Sequence, residues 1–146
     1  MLYLFAGSGN VSIEALSRGA AKAVLIDESP RSAAVIRDNL SQLGLSGQAE
    51  VWTAPVLRSL RKLAKSGATF DLVFLDPPYD RELVGATLSA IGQCHLLSGA
   101  GTVVAEHSAR EEVKSLYGSL SLNDRRRYGD TQLSFFKKEV TPNSAL

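Results

Sequence analysis

Apolar positions in this chain fall into two alternating patterns. Short unbroken runs, at Met1 to Phe5, Ala23 to Ile26 and Leu72 to Leu75, have the make-up of strands covered on both faces. Between them the apolar residues recur at helical spacing. Val11, Ile13, Ala15 and Leu16 predict the buried side of a helix from Asn10 to Arg18, stopped by Gly19. Ala33, Ile36, Leu40 and Leu43 predict a second helix, with Ser29 as its N-cap, Pro30 at its first position and Gly44 as its stop. A third strand is expected over Glu50 to Thr53. A third helix follows over Val56 to Lys65, with Leu57, Leu60 and Ala64 on one face. The fourth strand begins at Phe70. A helix over Arg81 to Gln93, a strand over Thr102 to Ala105 and a short helix over Arg110 to Leu116 come next. Two strands, near Leu120 to Arg127 and Gln132 to Lys137, are joined at Tyr128-Gly129-Asp130-Thr131 as a hairpin.

This alternation is the signature of an α/β fold with a mostly parallel sheet. With 146 residues the chain fits one domain, expected over 1–138, with 139–146 as a flexible tail. A composition of 45% hydrophobic and 21% charged residues is that of a soluble globule. Sixteen basic residues against fifteen acidic ones leave a net charge of +1, which excludes a strongly basic coat but not a local basic patch. The single cysteine, Cys94, allows neither an internal disulfide nor a cysteine-rich zinc site. Cys94 and His95 read as helix-end residues, no metal is expected, and His107 is assigned no role. No apolar run approaches the ~18 residues needed to span a bilayer. Met1 leads straight into a core strand without a secretory leader, so a cytoplasmic location is expected.

The loop after the first strand, Phe5-Ala6-Gly7-Ser8-Gly9, opens a helix. Glycines there let a ligand approach the backbone, and the helix N-terminus offers free N–H groups. Asp27 follows just past the second strand, where an acid can accept hydrogen bonds from a ribose diol. This order fits a dinucleotide site, but Ser12 stands where that pattern has its third glycine. A bare strand-to-helix turn fits the loop as well.

The loop after the fourth strand, Asp76-Pro77-Pro78-Tyr79, is more specific. Two consecutive prolines fix φ and remove two donors, so the loop is rigid and presents acceptors. The Asp76 carboxylate adds two more. Such an array suits the exocyclic amine of a nucleobase, and Tyr79 offers a face for the base to stack on. The plainer alternative is a polar turn capping a strand. In an open α/β sheet this loop lies beside the glycine loop, at the carboxyl edge where ligands bind.

Leu4-Phe5-Ala6-Gly7-Ser8-Gly9 and Glu14-Ala15-Leu16-Ser17-Arg18-Gly19-Ala20 resemble the RsmD-type methyltransferases. So do Phe70 to Tyr79, Arg127-Tyr128-Gly129-Asp130-Thr131 and the strand after them, which carries the resemblance across nearly the whole chain. These enzymes methylate a guanine N2 in small-subunit (16S) ribosomal RNA with S-adenosyl-L-methionine. The resemblance implies a Rossmann-like class I methyltransferase, with a mostly parallel seven-stranded sheet and a C-terminal antiparallel hairpin. It implies that Phe5, Ala6, Gly7, Ser8 and Gly9 border the methionine part of the cofactor. Asp27 would take the ribose, with Glu28 beside it, and Ala54 and Pro55 would lie by the adenine. Asp76, Pro77, Pro78 and Tyr79 would hold the target amine, which needs no metal. The partner it implies is ribosomal RNA or the small ribosomal subunit.

Three departures stand out. Tyr3 occupies a first-strand position where the family usually has an acid, and Pro55 a position where it usually has another. The family normally begins with a basic hairpin and helix before the first strand, a segment this sequence is expected to lack. Arg125, Arg126 and Arg127 lead into the hairpin and are candidate RNA contacts, weighed against a charged edge strand. Arg58, Arg61, Lys62 and Lys65 share one helix face, which reads as a solvated surface or a phosphate contact. Two other functions fit less well: a shortened, non-catalytic relative that binds cofactor or ribosome, and a nicotinamide-dependent oxidoreductase.

Overall fold

The structure, a computed structural model, describes residues 1–79 and 82–139. Its strands are β1 (Leu2–Leu4), β2 (Ala23–Asp27), β3 (Ala49–Thr53), β4 (Phe70–Leu75), β5 (Leu97–Ser108), β6 (Leu116–Tyr117), β7 (Leu120–Tyr128) and β8 (Thr131–Lys138). The helices are α1 (Asn10–Ser17), α2 (Pro30–Gln42), α3 (Val56–Ser66) and α4 (Leu83–Gln93), with one 3₁₀ turn at Ser46–Gln48. All eight strands form one sheet in the order β3-β2-β1-β4-β5-β8-β7-β6. The first five run parallel. β8 pairs antiparallel with β5, and β7 and β6 continue that sense. The expected mostly parallel sheet with an antiparallel end is therefore present; the two-residue β6 makes its eighth strand.

Because side chains alternate along β1, its residues serve two cores. Leu2 and Leu4 face Val56, Leu60, Leu63, Val84 and Leu88 of α3 and α4. Tyr3 faces Leu16, Ile36 and Leu40 of α1 and α2. β1 is central, and the chain leaves it toward β2 on one side while β4 lies on the other. That reversal opens a crevice at the carboxyl ends of β1 and β4, and it brings the two conspicuous loops together.

Local chemistry accounts for most boundaries. Ser29 caps α2, its hydroxyl accepting from the Ser32 N–H at 3.2 Å, and Pro30 fills the first turn. Gly67 ends α3 in the left-handed region.

Some expectations are corrected. In α1 it is Ser12 and Leu16 that are fully buried, while Val11, Ile13 and Ala15 are half-buried. In α3 the buried face is Val56, Ser59, Leu60 and Leu63, and Leu57 is exposed. β5 is twelve residues long, well beyond Thr102 to Ala105. Arg110 to Leu116 is not a helix. Ser108 takes the Arg110 N–H on its hydroxyl and the Glu111 N–H on its carbonyl, and the Tyr117 hydroxyl takes the Lys114 N–H. These bonds compete with the helical ladder. Of the expected tail only Glu139 is described; its N–H donates to the Ser119 carbonyl at 2.7 Å. The fourth helix starts at Leu83; Arg81 lies outside the described residues. Among the described residues no helix is long and apolar enough to cross a membrane.

Candidate active site

The first loop is built by backbone geometry. Phe5 turns the chain out of β1 with a φ of 60°, a left-handed conformation that costs a residue with a side chain. Gly7 and Gly9 follow in the same region at 58° and 82°. A Cβ at Gly9 would come within 3.3 Å of the Leu25 side chain, so a larger residue would crowd the loop against β2. The Gly9 N–H donates to the Ala6 carbonyl at 2.8 Å. The Ser8 carbonyl accepts from the Asn39 side chain at 3.1 Å, which ties the loop to α2.

Asp27 fastens the loop from the second strand. One carboxylate oxygen accepts the Gly7 N–H and the other the Ser29 N–H, both at 2.9 Å. Each oxygen keeps a further lone pair for a ligand hydroxyl. The Asp27 carbonyl meanwhile takes the Ala54 N–H at 3.0 Å. That donor is therefore occupied, and Pro55 has none to offer.

The second loop sits opposite. The Asp76 N–H donates to the Leu4 carbonyl at 3.3 Å, linking the ends of β4 and β1. Pro77 is buried, while Pro78 and Tyr79 are exposed. The Tyr79 hydroxyl reaches Thr131 at 3.5 Å, so the loop leans on the hairpin of β7 and β8. In the β4–β5 register Leu75 pairs with Ala105, which sets Asp76 beside Glu106. Burial, and then the charge and hydrogen bond of Glu106, push Asp76 up to about 6. Beneath them Tyr3 is buried and packs edge-on against Phe74. Its hydroxyl is pushed up to about 12, by burial first and then by Asp76, Glu106 and Asp27. It stays neutral.

The two loops wall an open cleft of about 520 Å³. Phe5, Gly7, Asp27 and Glu28 form one wall, and Asp76 to Tyr79 the other, with Leu83 and Glu106. Of the expected residues, Ala6 and Gly9 are buried inside the first loop. Ser8, Ala54 and Pro55 stand outside the walls. Glu106 and Leu83 went unassigned in the sequence; the signal for Glu106 is an acid at the end of the strand next to β4. Arg125, Arg126 and Arg127 lie on the exposed hairpin strand and do not line the cleft. A more apolar cavity of about 450 Å³ lies at the amino ends of the strands, between Met1, Trp52, Lys62 and Phe70. Neither loop reaches it.

Four carboxylates, Asp27, Glu28, Asp76 and Glu106, face the cleft, and no basic side chain does among its described walls. A site of that character suits a cationic group and repels a pyrophosphate. Asp27 has acceptor positions free for a diol. These features fit an adenosyl sulfonium.

The sequence and the fold both have known relatives. Residues 1–137 match the model of the family described as Conserved hypothetical protein 95. YlbH of Bacillus subtilis, whose name gives it provisionally as an rRNA methyltransferase, is 36% identical over 137 residues, 94% of this chain and 74% of that one. Ribosomal RNA small subunit methyltransferase D of Escherichia coli is 28% identical over 96% of this chain and 69% of its own. The structure of a conserved hypothetical protein from Streptococcus pyogenes matches with a TM-score of 0.84 and 32% identity, over 94% of this chain and 86% of that one. The chain belongs to this family of RsmD-type methyltransferases and has their Rossmann-like fold.

Proposed function

We propose that this RsmD-type family member transfers a methyl group from S-adenosyl-L-methionine to the exocyclic N2 of a guanine in small-subunit (16S) ribosomal RNA. The observation that carries the reading is the meeting of an Asp27-fastened glycine loop and the Asp76-Pro77-Pro78-Tyr79 loop in one carboxylate-walled cleft. The cofactor supplies an electrophilic methyl group on a sulfonium. Asp27 accepts from the ribose hydroxyls, while Phe5 and Gly7 shape the wall beside the methionine. Asp76 and the Pro77 carbonyl would accept from the guanine amine and position its nitrogen for attack on the methyl group. That nitrogen is a weak nucleophile, since its lone pair is shared with the ring. Fixed acceptors favour the positive charge that develops there, and positioning adds more. Tyr79, exposed at the rim, stacks on a base drawn out of its helix. The nicotinamide reading is disfavoured because a dinucleotide would set its pyrophosphate against four carboxylates.

Tyr3 favours one second reading, a non-catalytic binder, because it offers no anion where the family usually has one. Calorimetric titration with S-adenosyl-L-methionine and with NAD, followed by methylation of 16S RNA, separates the readings. The expected result is saturable binding of the first cofactor alone, with one guanine modified. Asp76→Ala should keep cofactor binding and lose transfer. Binding without transfer by the unaltered chain would support the second reading, and NAD binding would overturn the proposal.

A further inference from the structure

A second carboxylate, Glu106, stands beside Asp76 in the cleft. Glu106 is half-buried at the carboxyl end of β5, one position past the Leu75–Ala105 pair, and it borders the same cleft as Asp76 and Tyr79. The groups facing this pair are Tyr3 from β1, Asp27 from β2 and Tyr79 from its own loop, with Glu28 further along the wall. None of them is a cation, so no positive charge among the described walls offsets the two adjacent acids.

We propose that Glu106 is a positioning residue that works through Asp76, making the Asp76 carboxylate the acceptor of the proton that the amine releases. This rests on the methyl-transfer reading above. The nitrogen lone pair forms the new N–C bond, and the C–S bond breaks with its pair going to sulfur. One N–H proton of the methylated nitrogen then passes to an Asp76 oxygen, and Asp76 as an acid donates to Glu106. Burial first, and then the like charge and hydrogen bond of Glu106 beside it, keep Asp76 ready to bind a proton near pH 6. An isolated surface aspartate would bind it far more weakly.

The test compares the full chain with Glu106→Gln, which keeps the shape, and Glu106→Ala, which removes the group. The Asp76 carboxyl is followed by carbon-detected NMR against pH, and methyl transfer to 16S RNA is followed over the same range. In both variants the Asp76 midpoint should fall by one pH unit or more, and the acid limb of the transfer rate should move with it. A midpoint that stays near 6 in both variants would overturn the role of Glu106. So would a shifted midpoint with an unmoved acid limb. Absence of transfer by the unaltered chain, with the midpoint still moving, would instead overturn the methyl-transfer reading and the proton step with it.

Discussion

Asp27 holds Gly7: its carboxylate accepts the Gly7 N–H at 2.9 Å across twenty positions of sequence, while its other oxygen takes the Ser29 N–H. The acid expected to read a ribose is thus also the clamp that shapes the glycine loop. Asp27→Ala should therefore do two things. Leaving two backbone donors without their partner should cost about 1–2 kcal/mol of stability, near the lower end because the site is partly exposed. Affinity for S-adenosyl-L-methionine should fall roughly tenfold or more, as the diol loses a charged acceptor. Thermal unfolding and calorimetry measure the two effects separately. A variant with native stability and native affinity would remove Asp27 from both roles.

The two loop glycines should respond differently to alanine. At Gly9 the new Cβ meets Leu25 at 3.3 Å and Ile36 at 3.4 Å, and φ is 82°. Gly9→Ala should lose about 2–3 kcal/mol, combining left-handed strain with overpacking. At Gly7 nothing lies within 4 Å, so Gly7→Ala should lose only about 1 kcal/mol from its φ of 58°. Urea unfolding of both variants checks the order, and the reverse order would contradict the packing described for the loop.

Tyr79 separates stacking from hydrogen bonding. Its hydroxyl meets Thr131 only at 3.5 Å, so Tyr79→Phe should keep methyl transfer within a few-fold. Tyr79→Ala removes the face proposed for base stacking. It should weaken RNA binding by about 1–3 kcal/mol and raise KM far more than it lowers kcat. Equal losses in both variants would assign Tyr79 to the hairpin contact instead.

The parts of this site written in local backbone chemistry were legible in the sequence. Gly7, Gly9, Pro77 and Pro78 announce their turns wherever they stand, and Ser29 with Pro30 marks a helix start. The pairing of Asp76 with Glu106 was not legible, because it depends on the register between β4 and β5, and that register shifts between Phe70 and Leu72. Arg110 to Leu116 misled for the opposite reason. Its apolar spacing reads as helical, but contacts from Ser108 and Tyr117 claim its N–H groups. Leu57 misled by one helical position, since α3 turns Ser59 and Leu63 toward the sheet instead.

Asp76 carries a stability cost that follows from its chemistry. Its folded value, about 6, lies above the ordinary 3.8, so the folded state binds a proton more readily than the unfolded chain. Stability should therefore fall as pH rises from about 4 to about 6 and stay lower above that. Asp76→Asn removes the charge. It should raise stability at pH 7.5 by roughly 1–2 kcal/mol, a figure already reduced for partial solvent screening. The gain should vanish below about pH 4, where both side chains are neutral. Chemical unfolding at pH 3.5, 5 and 7.5 reads this directly, and methyl transfer by the same variant should be lost. A variant less stable than the parent at pH 7.5 would show that Asp76 is stabilised by a partner not accounted for above.

The three hairpin arginines are not equivalent, which makes RNA contact testable one residue at a time. Arg125 sends its guanidinium to the Val113 carbonyl, and Arg127 bonds the Gly129 carbonyl at 2.8 Å, so both brace the hairpin or its neighbours. Arg126 points to the other face, over the Phe135 ring at 5.5 Å, with an exposed ion pair to Asp124 at 3.2 Å. Exposed pairs of this kind contribute little and exchange readily for a phosphate. Arg126→Ala should therefore leave stability within about 0.5 kcal/mol and weaken RNA binding severalfold, lowering the slope of log affinity against log salt by about 1. Arg125→Ala should lose stability instead, by about 1 kcal/mol, and leave that slope unchanged. Filter binding across a salt series, paired with thermal unfolding, distinguishes the two. If both variants keep the parental slope, the hairpin is a charged edge that guards the sheet and the phosphate contacts lie elsewhere on the chain.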